Sequence, residues 1–313
     1  MKLVSRVTGR RALLVSGVVV LLASVTLGGW LWLRDDGAAQ QKEQNSFCWS
    51  LVPGRDSGES GSTAECGDAL ETAMTGRPPG ATPPGRTSEY GTEQVRVLEE
   101  TVKGYAARTK GDPGAIPEEI RRNMASVLVF YADDVHDIIG LHGDFSEGGL
   151  STRPNDVDVD RATLTDFIRG LAEDGGAFRM VRGSQLALVS DGLQSLGKTD
   201  FEGGSDKAEG TALVSGNSLG ILDRVGAQAL EARDGGADRE EWLEAYRNQG
   251  GRNEGAGKPE EFFASARDGG YLVEMFQRRA DRLGARPEGP EGSGTGLHPE
   301  ILDMLEKTYR LGF

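Results

Sequence analysis

PEEIRRNMASVLVFYADDVHDII, residues 117–139, decides the fold class. Its apolar residues Ile120, Met124, Val127, Leu128, Tyr131, Val135 and Ile138 follow 4-3-1-3-4-3 spacing, which lays one continuous apolar face along an α-helix. Pro117 suits a helix first turn because its missing N–H has no intrahelical acceptor there, and Glu118 and Glu119 lie at the positive end of the helix dipole. Gly140 is a C-terminal stop. The spacing predicts one helix over 117–139, central to the core.

Working outward, the same periodicity continues in both directions. Upstream, residues 88–108 place Tyr90, Val95, Leu98, Val102 and Tyr105 near helical spacing. Downstream, a polar stretch at 141–160 ends at Asp160, an N-cap for a helix burying Leu164, Phe167, Ile168 and Leu171. Gly175-Gly176 is read as its end. Further helices are expected at 177–196, at 206–233 (a weaker pattern), at 238–248 with Trp242 and Tyr246, at 258–283, and from His298 to Leu311 after a glycine-rich break at 284–297. There is no run of strand alternation and no fixed-period repeat. The fold class is all-α, an irregular multi-helix bundle. Glycine is abundant, at 46 residues, and its Gly-Gly pairs predict long loops.

The N-terminus carries a different signal. Residues 12–33, ALLVSGVVVLLASVTLGGWLWL, form an uncharged run of 22 residues. At about 1.5 Å per residue a helix of this length spans the roughly 30 Å hydrocarbon core. Trp30 and Trp32 sit at one end, where indoles favour the lipid–water boundary. Lys2, Arg6, Arg10 and Arg11 precede the run with no acidic residue among them, so residues 1–11 are expected in the cytoplasm and the rest outside. A cleaved signal peptide is the competing reading; its apolar core is usually about 7–15 residues, shorter than this one. Either reading exports the remainder.

The exported part holds 31 basic and 49 acidic residues, a net charge of −18. Such a surface argues against nucleic acid and anionic lipid headgroups as partners. Cys48 and Cys66 are the two cysteines, and in an oxidising compartment they are expected to bridge. Residues 34–75 therefore read as a spacer with a disulfide-closed element, residues 76–88 with two Pro-Pro pairs as a linker, and residues 89–313 as the helical domain.

Few residues offer chemistry. His136 and His142, with Asp133, Asp134, Asp137 and Asp144, are the richest group of potential metal ligands, but they lack a metal-motif spacing. Helical geometry puts His136 and Asp133 on the polar side, as a solvated face. Asp156, Asp158 and Asp160 open like a calcium loop, which fails at Arg161 and Phe167, where Gly and Glu are needed. Gly257-Lys258 lacks the glycine and the strand of a phosphate loop, since Arg252 takes the first glycine's place. Ser184 and Ser218 have no nucleophile-elbow setting. No catalytic residue and no cofactor is expected.

Residues 123–139, 166–185 and 218–233, with Asp134-Val135-His136 and Asp166-Phe167 as their markers, resemble a helical region of unknown function. It occurs in actinobacterial secreted proteins of the WXG type that are similar to polymorphic toxins. The resemblance covers about residues 90–283 and implies a cell-envelope or secretion-linked scaffold, with no catalytic residues to carry over. The chain departs from that pattern in beginning with an apolar run rather than a WXG-type hairpin.

The leading expectation is a single-pass membrane protein whose extracytoplasmic helical domain acts through protein contacts. A metal-dependent surface hydrolase using His136, His142 and nearby aspartates is the first alternative. An immunity protein against an exported toxin is the second.

Overall fold

A computed structural model describes residues 39–54, 61–81, 90–110, 113–140, 157–203, 205–233, 235–248, 269–285 and 298–312. The chain forms two compact units, Met1–Phe47 and Cys48–Phe313. Of the first, residues 39–47 are described, and they are helical. The apolar run at 12–33 lies outside the described residues, among which no helix is long and apolar enough to cross a membrane.

The second unit is all-helical among its described residues. Eleven helices there are α1 (Thr63–Thr75), α2 (Thr92–Thr109), α3 (Glu118–Phe130), α4 (Ala132–Gly140), α5 (Arg161–Leu171), α6 (Gly175–Gln194), α7 (Lys198–Glu202), α8 (Asp206–Glu231), α9 (Ala237–Asn248), α10 (Gly270–Leu283) and α11 (Pro299–Gly312). Several start where the sequence supplies an acceptor for orphan N–H groups. Ser62 and Glu65 form a reciprocal capping box on α1, Asp160 accepts from Thr163 N at 2.9 Å on α5, and Ser205 accepts from Ala208 N at 3.2 Å on α8.

The Asp160 cap titrates. Hydrogen bonds from the Thr163 hydroxyl and backbone hold its carboxyl below the usual aspartate value. A depressed folded pKa means that the stabilisation is present above the unfolded pKa and fades as pH falls through the folded one. Asp160→Ala should therefore destabilise the protein by about 1 kcal/mol near pH 7. In urea titrations the gap from the parent should close as the pH is taken below the ordinary aspartate range. A gap that persists there would show that the carboxylate is not the capping group.

Two helix boundaries differ from expectation. The helix predicted over 117–139 is two helices. Tyr131 (φ −95°, ψ 28°) closes α3, and α4 begins at Ala132. At the joint the Tyr131 hydroxyl donates to Met74 O on α1 at 2.8 Å, and its ring lies 4.2 Å from that of Tyr90. Apolar spacing runs unbroken through the joint, so the break leaves no mark in the pattern.

Gly175 and Gly176 open α6 rather than close the helix before it. Asp174 caps them through Gly176 N at 2.7 Å and Ala177 N at 3.0 Å. A Cβ on Gly175 would lie 2.2 Å from Trp242 O on α9, so the glycine permits the close approach of α6 and α9. Trp242 in turn donates its indole N–H to Ala172 O at 2.8 Å.

The weaker pattern near 206–233 is a 26-residue helix, α8, packed against α4, α6 and α11. Its middle, Ser215-Gly216-Asn217-Ser218-Leu219-Gly220, is buried. Small residues let α11 approach so closely that a Cβ on Gly216 would lie 2.1 Å from Thr308 Oγ1. A hydrophobicity count undervalues such a helix because the contact is made through backbone and small side chains. Beside it, Phe201 of α7, Leu272 and Phe276 of α10, and Ile301 and Leu305 of α11 form an apolar cluster.

The disulfide is formed, with an S–S distance of 1.97 Å between Cys48 and Cys66, both fully buried. Trp49 is buried beside it and donates to Gly61 O at 3.3 Å. The closed element belongs to the same compact unit as the helices that follow it. α1 crosses α3 where a Cβ on Gly67 would meet Ile120, and it buries Cys66, Leu70 and Met74. The Pro-rich stretch begins by folding back: Gly80 (φ +68°) turns its N–H onto Glu71 Oε1 at 3.0 Å. Residues 82–89 lie outside the described ones.

Candidate functional site

His142 and Asp144 lie outside the described residues, and Asp133 and His136 are on α4. His136 is half-buried, not on a solvated face. Its Nδ1 lies 2.8 Å from Gln185 Oε1, and Gln185, itself fully buried, donates its amide to Ala132 O at 3.0 Å. That second bond fixes Oε1 as an acceptor, so Nδ1 carries the proton. The pair thus ties α4 to α6. Among the described residues no three His, Cys, Asp or Glu side chains are grouped to hold a metal ion. Ser184 donates to Val181 O and Ser218 to Ser215 O, both within their own helices.

Two constellations without a signature in the sequence are built by tertiary packing. The first is buried. Arg182 of α6 donates through Nε to Asp223 Oδ1 of α8 at 2.7 Å, with side chains 3% and 0% exposed. The Tyr271 hydroxyl of α10 and the Tyr309 hydroxyl of α11 each donate to Asp223 Oδ2 at 2.6 Å. One carboxylate therefore joins four helices. Burial works against the Arg182 charge, but Asp223 together with Tyr246 and Tyr271 outweighs it and holds the guanidinium pKa well above the ordinary arginine value. Burial, and then the Asp223 charge, push both tyrosines far above the usual phenol range, so they remain donors. Enclosure on this scale fits a structural junction.

The second constellation faces solvent. A cleft of about 960 Å³ opens between α1, the 79–81 turn, α3 and α6. Val129 and Met180, both half-buried, line it as apolar surface. Asp68, Glu71, Asn123 and Ser126 form its polar wall. Glu71, 3% exposed, accepts three hydrogen bonds: Ser126 Oγ at 2.7 Å and Gly80 N at 3.0 Å on Oε1, and Asn123 Nδ2 at 2.7 Å on Oε2. Asn123 Nδ2 also donates to Asp68 Oδ1 at 3.0 Å. Neither carboxylate has a cationic partner among the described residues. Arg122, also lining the cleft, pairs with Asp174 at 3.3 Å.

The wall is fixed by backbone placement. Asp68 and Glu71 are spaced i, i+3 on α1, as are Asn123 and Ser126 on α3, so each pair lies on one helix face. Glu71, engaged at both oxygens, holds Asn123 and Ser126 in place. The arrangement is suited to binding, with a rigid polar edge beside adaptable apolar surface, and it contains no nucleophile–base pair.

The described second unit is thus an all-helical, disulfide-stapled body with an open, mixed cleft on one side. No protein-family model matches the chain, and neither a curated protein nor a solved structure matches it.

Proposed function

We propose that the chain is a single-pass envelope protein, anchored through residues 12–33 with its N-terminus in the cytoplasm, whose extracytoplasmic helical body binds another envelope or secreted protein. The observation that carries the interaction reading is the cleft beside α1, where half-buried Val129 and Met180 adjoin a fixed polar wall. Open clefts of mixed character suit a partner's segment better than a small ligand, which favours enclosure. The Cys48–Cys66 bond supports the export, since such bonds persist in oxidising compartments. The resemblance of residues 90–283 to a secretion-linked helical region favours an envelope setting.

Crosslinking in intact cells of the native host tests the proposal. The full chain should recover a specific protein neighbour that a control carrying residues 1–47 alone does not. Equal recovery by the two would remove the interaction role, leaving only the anchor.

A further inference from the structure

The cleft selects the charge of what it binds, an inference that rests on the protein-contact reading above. We infer that it receives a basic segment of the partner: a lysine or arginine whose charged end meets Asp68 while its aliphatic stem lies on Val129 and Met180.

Three observations lead there. The wall carries two carboxylates with no cationic partner among the described residues. Their roles differ. Glu71 is nearly buried and its oxygens are engaged by neutral donors, so it contributes field rather than a direct bond. Asp68 is exposed, and only its Oδ1 is engaged by a side chain, leaving Oδ2 to accept from an incoming cation. Second, the apolar lining adjoins this wall, and long cationic side chains cover apolar surface with their methylene stems while keeping the charge at the polar edge. A carboxylate ligand would gain the stem contact but meet like charge at Asp68 and Glu71. Third, the net charge of −18 after Leu33 steers basic partners toward this body and repels acidic ones.

The full chain, purified in detergent, is titrated with a fluorescein-labelled peptide of alternating arginine and leucine and with its glutamate–leucine counterpart. The arginine peptide should bind, more weakly as salt rises, and the glutamate peptide should not. Asp68→Lys should weaken arginine-peptide binding about tenfold or more, and Asp68→Asn by less. Glu240→Lys, an exposed change of the same charge on α9, should leave it within about twofold of the parent. Equal weakening by Glu240→Lys and Asp68→Lys would reduce the effect to overall charge and overturn the inference. So would binding of the glutamate peptide, or no binding of either peptide. Melting curves confirm that each variant is folded, and the mild Asp68→Asn change serves if Asp68→Lys is not.

Photocrosslinking in the native host separates the two failures. Benzoylphenylalanine at Val129 should capture a neighbour through a lysine- or arginine-rich peptide, and Asp68→Lys should abolish the capture. Capture from exposed Leu311 on α11 but not from Val129 would overturn the cleft and leave the interaction role standing. Capture from neither position would count against both.

Discussion

Asp223→Ala is expected to cost about 3–5 kcal/mol of stability, because it leaves the Arg182 guanidinium buried without its countercharge. Arg182 and Asp223 are 3% and 0% exposed, so water cannot replace the lost partner without opening the core. The two tyrosine hydroxyls lose the same acceptor, and each stranded donor adds to the penalty. The substitution should also loosen α10 and α11 first, since Tyr271 and Tyr309 join those helices to Asp223. Chemical denaturation followed by far-ultraviolet circular dichroism measures the loss. Hydrogen exchange shows whether α10 and α11 lose protection ahead of α1–α3.

A second variant distinguishes the charge from the space it fills. Arg182→Met combined with Asp223→Leu removes both charges and keeps most of the volume. It should recover much of the loss, as replacement of buried ion pairs by packed apolar residues commonly does. If Asp223→Ala loses less than about 1 kcal/mol, the junction is solvated and its structural role fails.

Loss of the disulfide is the next largest effect. Cys48 and Cys66 are 18 residues apart, and closing a loop of this size restricts the unfolded chain by about 3 kcal/mol. Cys48→Ala with Cys66→Ala should lower stability by about that amount and leave no stray thiol. The damage should begin near residues 48–62. α1 retains its own attachments, through Glu71 to Asn123 and Ser126 and through Met74 O to Tyr131. Dithiothreitol added to the parent should reproduce the double variant, and a parent indifferent to reduction would show that the bond is not a staple. Protein made without residues 1–33, in a reducing compartment, should match the reduced form.

The effects differ in legibility. The disulfide follows from two cysteines and the expectation of export, so it was readable in advance. Asp223 was not. Its neighbours in the chain, Leu222 and Arg224, give no sign that Arg182 lies 41 residues earlier in the same buried site, or Tyr309 86 residues later. Charge opposite charge across a core is a property of packing. The cleft is similar: Asp68 and Glu71 read as ordinary acids on a surface helix until α1 docks on α3. His136 shows the reverse error. On an isolated helix its angle places it in water, but α6 covers that side and supplies Gln185.

By itself the sequence determined the helical class, most helix positions and the Asp160 cap. Those depend on local terms: apolar periodicity, capping side chains and turn-forming glycines within a few residues of one another. It also marked the apolar run at 12–33 and the cysteine pair, which depend on composition and compartment. The tertiary structure decided where the long helix breaks, which helix is central, and which polar groups share a site. Each of these depends on residues far apart in the chain. Tyr131, where α3 closes, is tied to α1 through Met74 O. Small residues make α8 central because α11 can approach it closely. Asp68 and Glu71 become the wall of a cleft because α3 and α6 complete its other sides. Periodicity shows which face of a helix is buried but does not identify the helix that covers it.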